Sequence, residues 1–128
     1  MNTPAWFQRA REIAARAGKP SPFYAKRASK TFELRLYDAI GLDPWTGGGI
    51  DPTSVVKALD ENRDASDLVV RISSPGGSVF DGLTIYNAIR SFKGTKTVHV
   101  DGIAASIASV IALAGDRVVT NDGAMWMV

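Results

Sequence analysis

A serine in an apolar run and a glycine-rich turn are the two features of this sequence whose residue types could carry out chemistry. Ser106 follows Gly-Ile-Ala-Ala, and Ser-Pro-Gly-Gly-Ser occupies residues 74–78. A serine hydrolase needs a hydroxyl on a rigid turn and backbone N–H groups aimed at the oxyanion that develops during attack. The pattern therefore indicates either a nucleophile with its oxyanion donors or two packing motifs made of small residues.

Each motif on its own has an ordinary structural interpretation. Small residues around Ser106 also allow a helix to pack closely on a strand, and Pro-Gly-Gly is a common turn. At the start of a helix, however, N–H groups are free and the dipole favours negative charge. The N–H of Ile107 is then a natural oxyanion donor. A second donor is expected from the turn Pro75-Gly76-Gly77, where glycine lets the backbone approach a substrate without a Cβ.

Hydrophobic periodicity places both motifs at strand-to-helix junctions. The predicted strands are 31–41, 67–73, 95–102, 117–120 and 124–128, and the predicted helices begin at Asp51-Pro52, at Ser78 and in the run that holds Ser106. This alternation predicts an α/β domain with a largely parallel sheet. Because such sheets place their sites at the carboxyl ends of the strands, the turns 73–78 and 101–106 should lie close together.

The same patterns predict which positions are buried. The run 67–73 is nearly continuously apolar, which is typical of a strand covered on both faces. The segment 43–51 lacks the spacing of a phosphate-binding loop and is interpreted as a flexible connection. Residues 19–30 are interpreted as a linker. The positions expected on buried faces are Phe32, Leu34, Leu36, Val55, Val56, Leu59, Leu83, Ile85, Tyr86, Ile89 and Phe92.

Composition excludes several kinds of site. The 128 residues suit one domain, contain no cysteine and contain a single histidine, His99. Disulfides, thiolate metal sites and multi-histidine metal sites are therefore excluded, and no cofactor is expected. The apolar run 102–115 is too short to span a bilayer. No secretory signal is visible, so we expect a soluble protein of the cytoplasm.

The N-terminal segment 1–30 is basic, with seven Lys/Arg against one Glu. Thr3-Pro4 predicts the start of an amphipathic helix that carries Trp6 and an alanine-rich face, and Gly18 and Pro20 predict its end. Such an arm could meet an acidic partner or nucleic acid. A solvated, loosely docked helix is the favoured interpretation, over nucleic-acid binding, a transit peptide or a membrane-surface helix.

Four motifs together resemble a known family: Ser-Pro-Gly-Gly-Ser-Val, Asp-Gly-Leu-Thr-Ile-Tyr-Asn-Ala, Gly-Ile-Ala-Ala-Ser and Ala-Gly-Asp. They resemble the proteolytic subunit of the Clp protease, ClpP. The resemblance is closest to the ClpP-related head-maturation (prohead) proteases of phages and prophages. It runs from about Phe32 to Val128 and is strongest from Val70 onward. It implies two parts, a basic helix and linker at 1–30 and a peptidase domain at 31–128 that is incomplete at its C-terminus.

The resemblance implies a ClpP/crotonase-like fold of strand–strand–helix units and a Ser-His-Asp peptidase. By motif, Ser106 matches the nucleophile, and Gly77 and Ile107 match the oxyanion-hole donors. The segment matching the one that pairs with an extended peptide substrate is Gly76, Gly77, Ser78, Val79 and Phe80. The implied partners are protein substrates, among them capsid or scaffold protein, further copies of the chain in a ring, and an unfoldase where the enzyme does not act independently of ATP.

The sequence differs from the family at the catalytic base. In the family the catalytic histidine follows a strand that resembles Ala-Met-Trp-Met-Val, and Val128 precedes that position by one residue. The family's aspartate lies further on. His99 lies in a predicted strand, and we expect it to pack across strands. A serine without its base is a poor nucleophile, so we expect an inactive fragment of a peptidase.

Three alternatives remain open from the sequence. One is a non-catalytic assembly module that docks through the basic N-terminal helix. Another is a crotonase-like enzyme that binds acyl-CoA without a serine nucleophile. The third is a Ser-Lys peptidase, for which Lys93 and Lys96 are the lysines close to Ser106 in sequence.

Overall fold

The computed structural model describes residues 23–128, so the predicted N-terminal helix from Thr3 to Gly18 lies outside the described residues. The described part forms six strands and three helices. In chain order they are β1 (Tyr24–Ala28), β2 (Thr31–Leu36), α1 (Pro52–Glu61), β3 (Asp67–Ser74), α2 (Val79–Arg90), β4 (Thr95–Ala105), α3 (Ile107–Ala112), β5 (Arg117–Thr120) and β6 (Met125–Met127).

One sheet carries all six strands in the order β1-β2-β3-β4-β5, with β6 also paired to β4. Every pairing is parallel except that of β1 with β2. The predicted α/β class with a largely parallel sheet is therefore confirmed, and all five predicted strands are present.

The hairpin of β1 and β2 corrects the prediction of a linker up to residue 30. β1 is exposed along its whole length and has no apolar face, so periodicity gave no signal for it. Its turn is Ser29-Lys30, and Ser29 has a φ of 55°. Two-residue hairpin turns usually have glycine or asparagine at the position with a positive φ, and the turn Ser29-Lys30 contains neither.

A single hydrophobic core lies between one face of the sheet and the helices. Alternate residues of the central strands are fully buried there, whereas their neighbours on the opposite face are half-buried. The prediction that β3 is covered on both faces is therefore wrong, because no described helix covers the face that carries Val69, Arg71 and Ser73. The core residues are Phe32, Leu34, Leu36, Leu68, Val70, Ile72, Val98 and Val100 from the strands, with Val55, Leu59, Ile85, Ile89, Ile107 and Ile111 from the helices.

The helices begin where their capping residues predict. Asp51 caps α1 by accepting from the Thr53 N–H at 3.1 Å, and Ser78 caps α2. The prediction that Leu83 is buried is wrong, since 38% of it is exposed. Gly82 takes that place against α3, because a Cβ on Gly82 would lie only 2.2 Å from Cγ1 of Ile107. Close approach of the two helices therefore depends on glycine at this position.

The strand β4 changes neighbours along its length. Its first half pairs with β5 as far as Val100, and its last residues pair with β6 from Ile103. Between these halves the register with β3 shifts, so that Val100 opposes Ile72 but Ala104 opposes Ser74. Three residues of β4 thus lie opposite one residue of β3, which is a bulge just before the turn to α3. Among residues 23–128, no helix is long and apolar enough to cross a membrane.

Candidate active site

The two predicted junctions touch each other at the carboxyl ends of β3 and β4. A Cβ placed on Gly76 would lie 2.7 Å from Cβ of Ser106 and 2.7 Å from the carbonyl oxygen of Ala105. The same position is 3.4 Å from the backbone nitrogen of Ile107. The prediction that these turns lie close together is confirmed, and glycine at position 76 is what lets them meet.

Ser106 sits on a strained turn with its side chain exposed. Its φ of 54° is one of two positive values for non-glycine residues in the described part of the chain. This conformation costs of order 1–3 kcal/mol and persists only where the surroundings enforce it. Ser106 donates its N–H to the Met127 carbonyl at 2.7 Å, and its own carbonyl accepts from the Ser109 N–H at 3.0 Å and from the Ser109 hydroxyl at 2.5 Å. The backbone is held on both sides, while the hydroxyl makes no capping hydrogen bond to α3.

The N–H groups of Gly77 and Ile107 are both available at this point. Within residues 23–128, neither group donates to a backbone carbonyl. On either side of Gly77, the Ile40 N–H donates to the Gly76 carbonyl at 2.9 Å and the Ser78 N–H donates to the Ile40 carbonyl at 3.0 Å. Because successive N–H groups of an extended segment point to opposite sides, the Gly77 N–H faces away from Ile40.

The residues predicted to bind an extended peptide, Gly76 to Phe80, lie across the start of α2. Val79 and Phe80 form the first turn of α2, so their backbone has a helical conformation and cannot add a strand. Gly76, Gly77 and Ser78 precede the helix, and Gly77 bridges to Ile40. The side chains of Val79 and Phe80 remain 53% and 83% exposed, which leaves two apolar groups beside these residues.

A loop that the sequence analysis interpreted as a flexible connection is tied to this segment. Ile40 and Ile50 are buried and bridge to each other, and Ile40 also bridges to Gly77. The Ile50 N–H donates to the Ala39 carbonyl at 2.8 Å, and the Gly41 N–H donates to the Ile50 carbonyl at 2.8 Å. Isolated apolar residues at both ends of a glycine-rich stretch were the signal for this anchoring. The loop supports the turn at Gly77 from the side opposite to its N–H.

None of the three candidate bases lies near Ser106. His99 is in β4, paired with Arg71 and Val119, and is half-buried on the face without helices. Ser106 lies seven positions after His99, which at about 3.3 Å per residue is at most roughly 23 Å along the strand. Lys96 is ten residues before the serine at the opposite end of the strand, and Lys93 precedes it in the loop after α2. The geometry therefore disfavours both His99 and a Ser-Lys pair.

Lys96 has a structural role at that opposite end. Its Nζ is buried, donates to the Phe92 carbonyl at 2.8 Å and lies 3.6 Å from the Asp116 carboxylate. The pKa of Asp116 is lowered, first by the backbone N–H of Lys96, which donates to its carboxylate. These bonds join the end of α2 to the loop before β5, and they occupy the only charged side chain that the described core buries.

A polar network lies next to the bulge of β4, on the face of the sheet without helices. Asp101 accepts from Arg71 Nη1 at 3.0 Å, from Asn121 Nδ2 at 2.6 Å and from the Tyr37 hydroxyl. Arg71 also donates to Glu33 at 3.0 Å. Burial and the hydrogen bond to Asp101 raise the pKa of Tyr37 to about 12. No local sequence pattern indicates this network, because its members come from four separate elements.

A model of one protein family matches more than half of the chain. The family model described as Clp protease matches residues 52–128. The ATP-dependent Clp protease proteolytic subunit of Ligilactobacillus salivarius is 42% identical over 59 residues, which are 46% of this chain and 30% of that protein. The chain thus spans about a third of the length of the curated relatives it matches.

Solved structures give the same fold. A ClpP1 variant from Listeria monocytogenes superposes with a TM-score of 0.55 and 28% identity, over 65% of this chain and 46% of that one. An enoyl-CoA hydratase from Mycobacterium avium superposes with a TM-score of 0.64 and 16% identity, over 84% and 50% of the two chains. At that identity the hydratase shows the fold alone. The predicted ClpP/crotonase-like fold is confirmed.

Proposed function

The chain belongs to the Clp protease family, and from that premise we propose that it is part of a serine endopeptidase whose nucleophile is Ser106. The observation that carries the proposal is the contact between the two junctions. An exposed serine with a positive φ and a hydroxyl that caps no helix abuts Gly76, next to two N–H groups that donate to no backbone carbonyl of residues 23–128. This combination provides a nucleophile and an oxyanion site at one point of the sheet.

In the proposed reaction the Ser106 hydroxyl oxygen attacks a peptide carbonyl, and its proton passes to a base. The carbonyl oxygen becomes an oxyanion that accepts from the N–H groups of Gly77 and Ile107. Loss of one such donor typically costs about 3 kcal/mol of transition-state stabilisation. The amine then leaves with a proton from the base, and water releases the acyl group from the serine.

The substrate is proposed to bind as an extended peptide along Gly76, Gly77 and Ser78. One side of this segment is already paired with Ile40, so a peptide adds on the side of the Gly77 N–H. Backbone pairing of this kind gives affinity with little dependence on sequence, while side-chain contacts give selectivity. The exposed side chains of Val79 and Phe80 favour apolar groups near the scissile bond.

The base is proposed to act from the end of β6. Met127 is paired with Ala105 and accepts the Ser106 N–H, so β6 ends beside the nucleophile. In the family that the sequence resembles, the catalytic histidine directly follows this strand. A histidine at that point of a longer protein would emerge next to Ser106. Within residues 23–128, none of His99, Lys93 and Lys96 lies beside Ser106, so we expect Ser106 of the 128-residue chain to acylate slowly.

The biological setting rests on sequence resemblance. The motifs favour a prohead-type peptidase that cleaves capsid or scaffold protein, either alone or with an unfoldase. It would assemble as a homo-oligomeric ring in the bacterial cytoplasm or inside the phage prohead. Cleavage of a co-expressed capsid protein, with Ser106→Ala as the inactive control, tests this setting apart from the chemistry.

The chemistry is tested by labelling with a fluorophosphonate, followed by intact mass and peptide mapping. We expect a single adduct on Ser106, formed slowly, and formed faster when imidazole is added as a base. Ser106→Ala should abolish the adduct. Ser91→Ala, at the far end of α2, should retain it. An adduct elsewhere, or none on Ser106 even with imidazole, would refute the proposal.

A further inference from the structure

Asp101 joins three strands at the bulge before Ser106, and we propose that it is a positioning residue for the nucleophile. The inference rests on the proposed function, because it assigns a role in presenting Ser106. Asp101 touches neither the serine nor the two oxyanion donors in the contacts described above. It acts through the backbone of β4 between residues 101 and 105.

The bulge in β4 determines the direction in which the strand continues toward Ser106. Val100 opposes Ile72 and Ala104 opposes Ser74, so residues 101–103 have only one partner residue on β3. The neighbour on the other side changes within the same three residues, from β5 to β6. A bulge interrupts the ladder of hydrogen bonds and re-aims the strand that contains it. The backbone hydrogen bonds between strands therefore do not by themselves fix the register of residues 101–103 of β4.

Asp101 is the first residue of the bulge. Its side chain makes hydrogen bonds to neighbouring strands at the point where the backbone hydrogen bonds between strands are interrupted. It binds Arg71 of β3 on one side and Asn121, just after β5, on the other. Tyr37, which follows β2, donates to its second carboxylate oxygen. The Asn121 N–H also donates to the Val100 carbonyl at 3.0 Å. The strand is thus held on both sides at the residue where its register shifts.

The hydrogen bond between Asp101 and Arg71 joins two charged side chains that are mostly shielded from solvent. The side chains of Asp101 and Arg71 are only 17% and 31% exposed. Hydrogen bonds between charged groups are roughly twice as strong as neutral ones. Removing the carboxylate leaves three donors that lose their shared acceptor, in a partly buried setting where an unmade bond is costly. The bulge would then be free to adopt other registers.

Ser106 has little freedom to absorb such a shift. Ala105 already lies against Gly76, and the Ser106 N–H is bonded to Met127. A displacement of the bulge would move the hydroxyl relative to the Gly77 N–H, which belongs to a different junction. A misplacement of 1 Å can cost on the order of 100-fold in rate. Asp101 therefore affects the rate of attack more than the binding of substrate.

The test separates rate from binding in fluorophosphonate labelling with imidazole present. Asp101→Ala should lower the maximal labelling rate roughly tenfold or more, and change the half-saturating probe concentration less than about twofold. Asp101→Asn should recover part of the rate, because its amide oxygen still accepts from Arg71. Glu33→Gln is the matched control, since it breaks another ion pair of Arg71 away from the bulge. It should leave the rate unchanged.

A second readout does not depend on activity. Hydrogen exchange of the Ser106 N–H, which bonds to Met127, should accelerate at least about tenfold in Asp101→Ala, less in Asp101→Asn, and not in Glu33→Gln. Equal rates and equal exchange in all three variants would overturn the positioning role even if Ser106 is labelled. Faster exchange with no labelling of the wild-type Ser106 would instead refute the proposed function while supporting the control of the bulge by Asp101.

Discussion

The two strand-to-helix junctions use the same residue type at the same position for opposite purposes. Ser78 precedes α2 with a φ of −64°, and its hydroxyl accepts from the Asp81 N–H at 3.3 Å. Ser106 precedes α3 with a φ of 54° and makes no such bond. In the first junction the positive φ values fall on Gly76 and Gly77, at 93° and 153°.

The difference shows how a serine becomes available for chemistry. Where glycines take the unusual backbone conformation, the serine is free to cap the helix, which is its ordinary stabilising role. Where the serine takes that conformation itself, its hydroxyl makes no capping hydrogen bond and the residue stays exposed. The first junction is organised for stability and the second for presentation of a side chain. Substitutions at the two junctions should therefore have effects of different sizes and opposite signs.

The largest effect is expected at the glycine junction. In Gly77→Ala the new Cβ would lie 2.2 Å from the Ile40 carbonyl oxygen, so the turn must move away from its supporting loop. We expect a loss of about 3 kcal/mol or more in the free energy of unfolding, measured by urea denaturation. The control is Gly47→Ala, where φ is 68° but no atom lies within 4 Å of the new Cβ. It should lose only about 1 kcal/mol. Equal losses would show that conformation, and not the contact with Ile40, sets the cost.

The second largest loss of stability is expected at Ser78, the N-cap of α2. Ser78→Ala removes the acceptor for the Asp81 N–H and should lower the free energy of unfolding by about 1 kcal/mol. Ser78→Asp should retain most of the stability, because aspartate is an equally good cap. Thermal or urea unfolding of both variants checks this. If the alanine variant is as stable as the wild type, Ser78 does not act as a cap and the contrast with Ser106 disappears.

The smallest effect has the opposite sign. Ser106→Gly should raise the free energy of unfolding by up to about 1 kcal/mol, because glycine adopts the positive φ without strain but loses more chain entropy on folding. Ser106→Ala removes the same hydroxyl and keeps the strain, so its stability should be close to that of the wild type. Paired denaturation curves make the comparison. A gain in the alanine variant that matches the glycine variant would assign the effect to the hydroxyl and not to the backbone.

Local pattern predicted most of the fold. The five strands from residue 31 onward, the three helices and the capping roles of Asp51 and Ser78 follow from periodicity and from residue preferences that act over a few positions. The errors arose where a neighbour overrides the local pattern. Leu83 has helical spacing but is exposed, because α3 packs against Gly82 instead. β1 has no pattern of its own and forms only because the edge of β2 is there to pair with it.

In the candidate site, too, some features follow from local pattern and others depend on the packing of distant segments. Local pattern predicts that Ser106 and Gly76-Gly77 end two strands of a parallel sheet, and therefore that they meet, since the carboxyl ends of parallel strands share one edge. The packing of distant segments determines that Ile40 occupies one side of the Gly77 turn and that Asp101 joins three strands at the bulge. Secondary structure depends on residues within a few positions of each other, whereas a hydrogen bond between side chains depends on distances that only the packed chain defines.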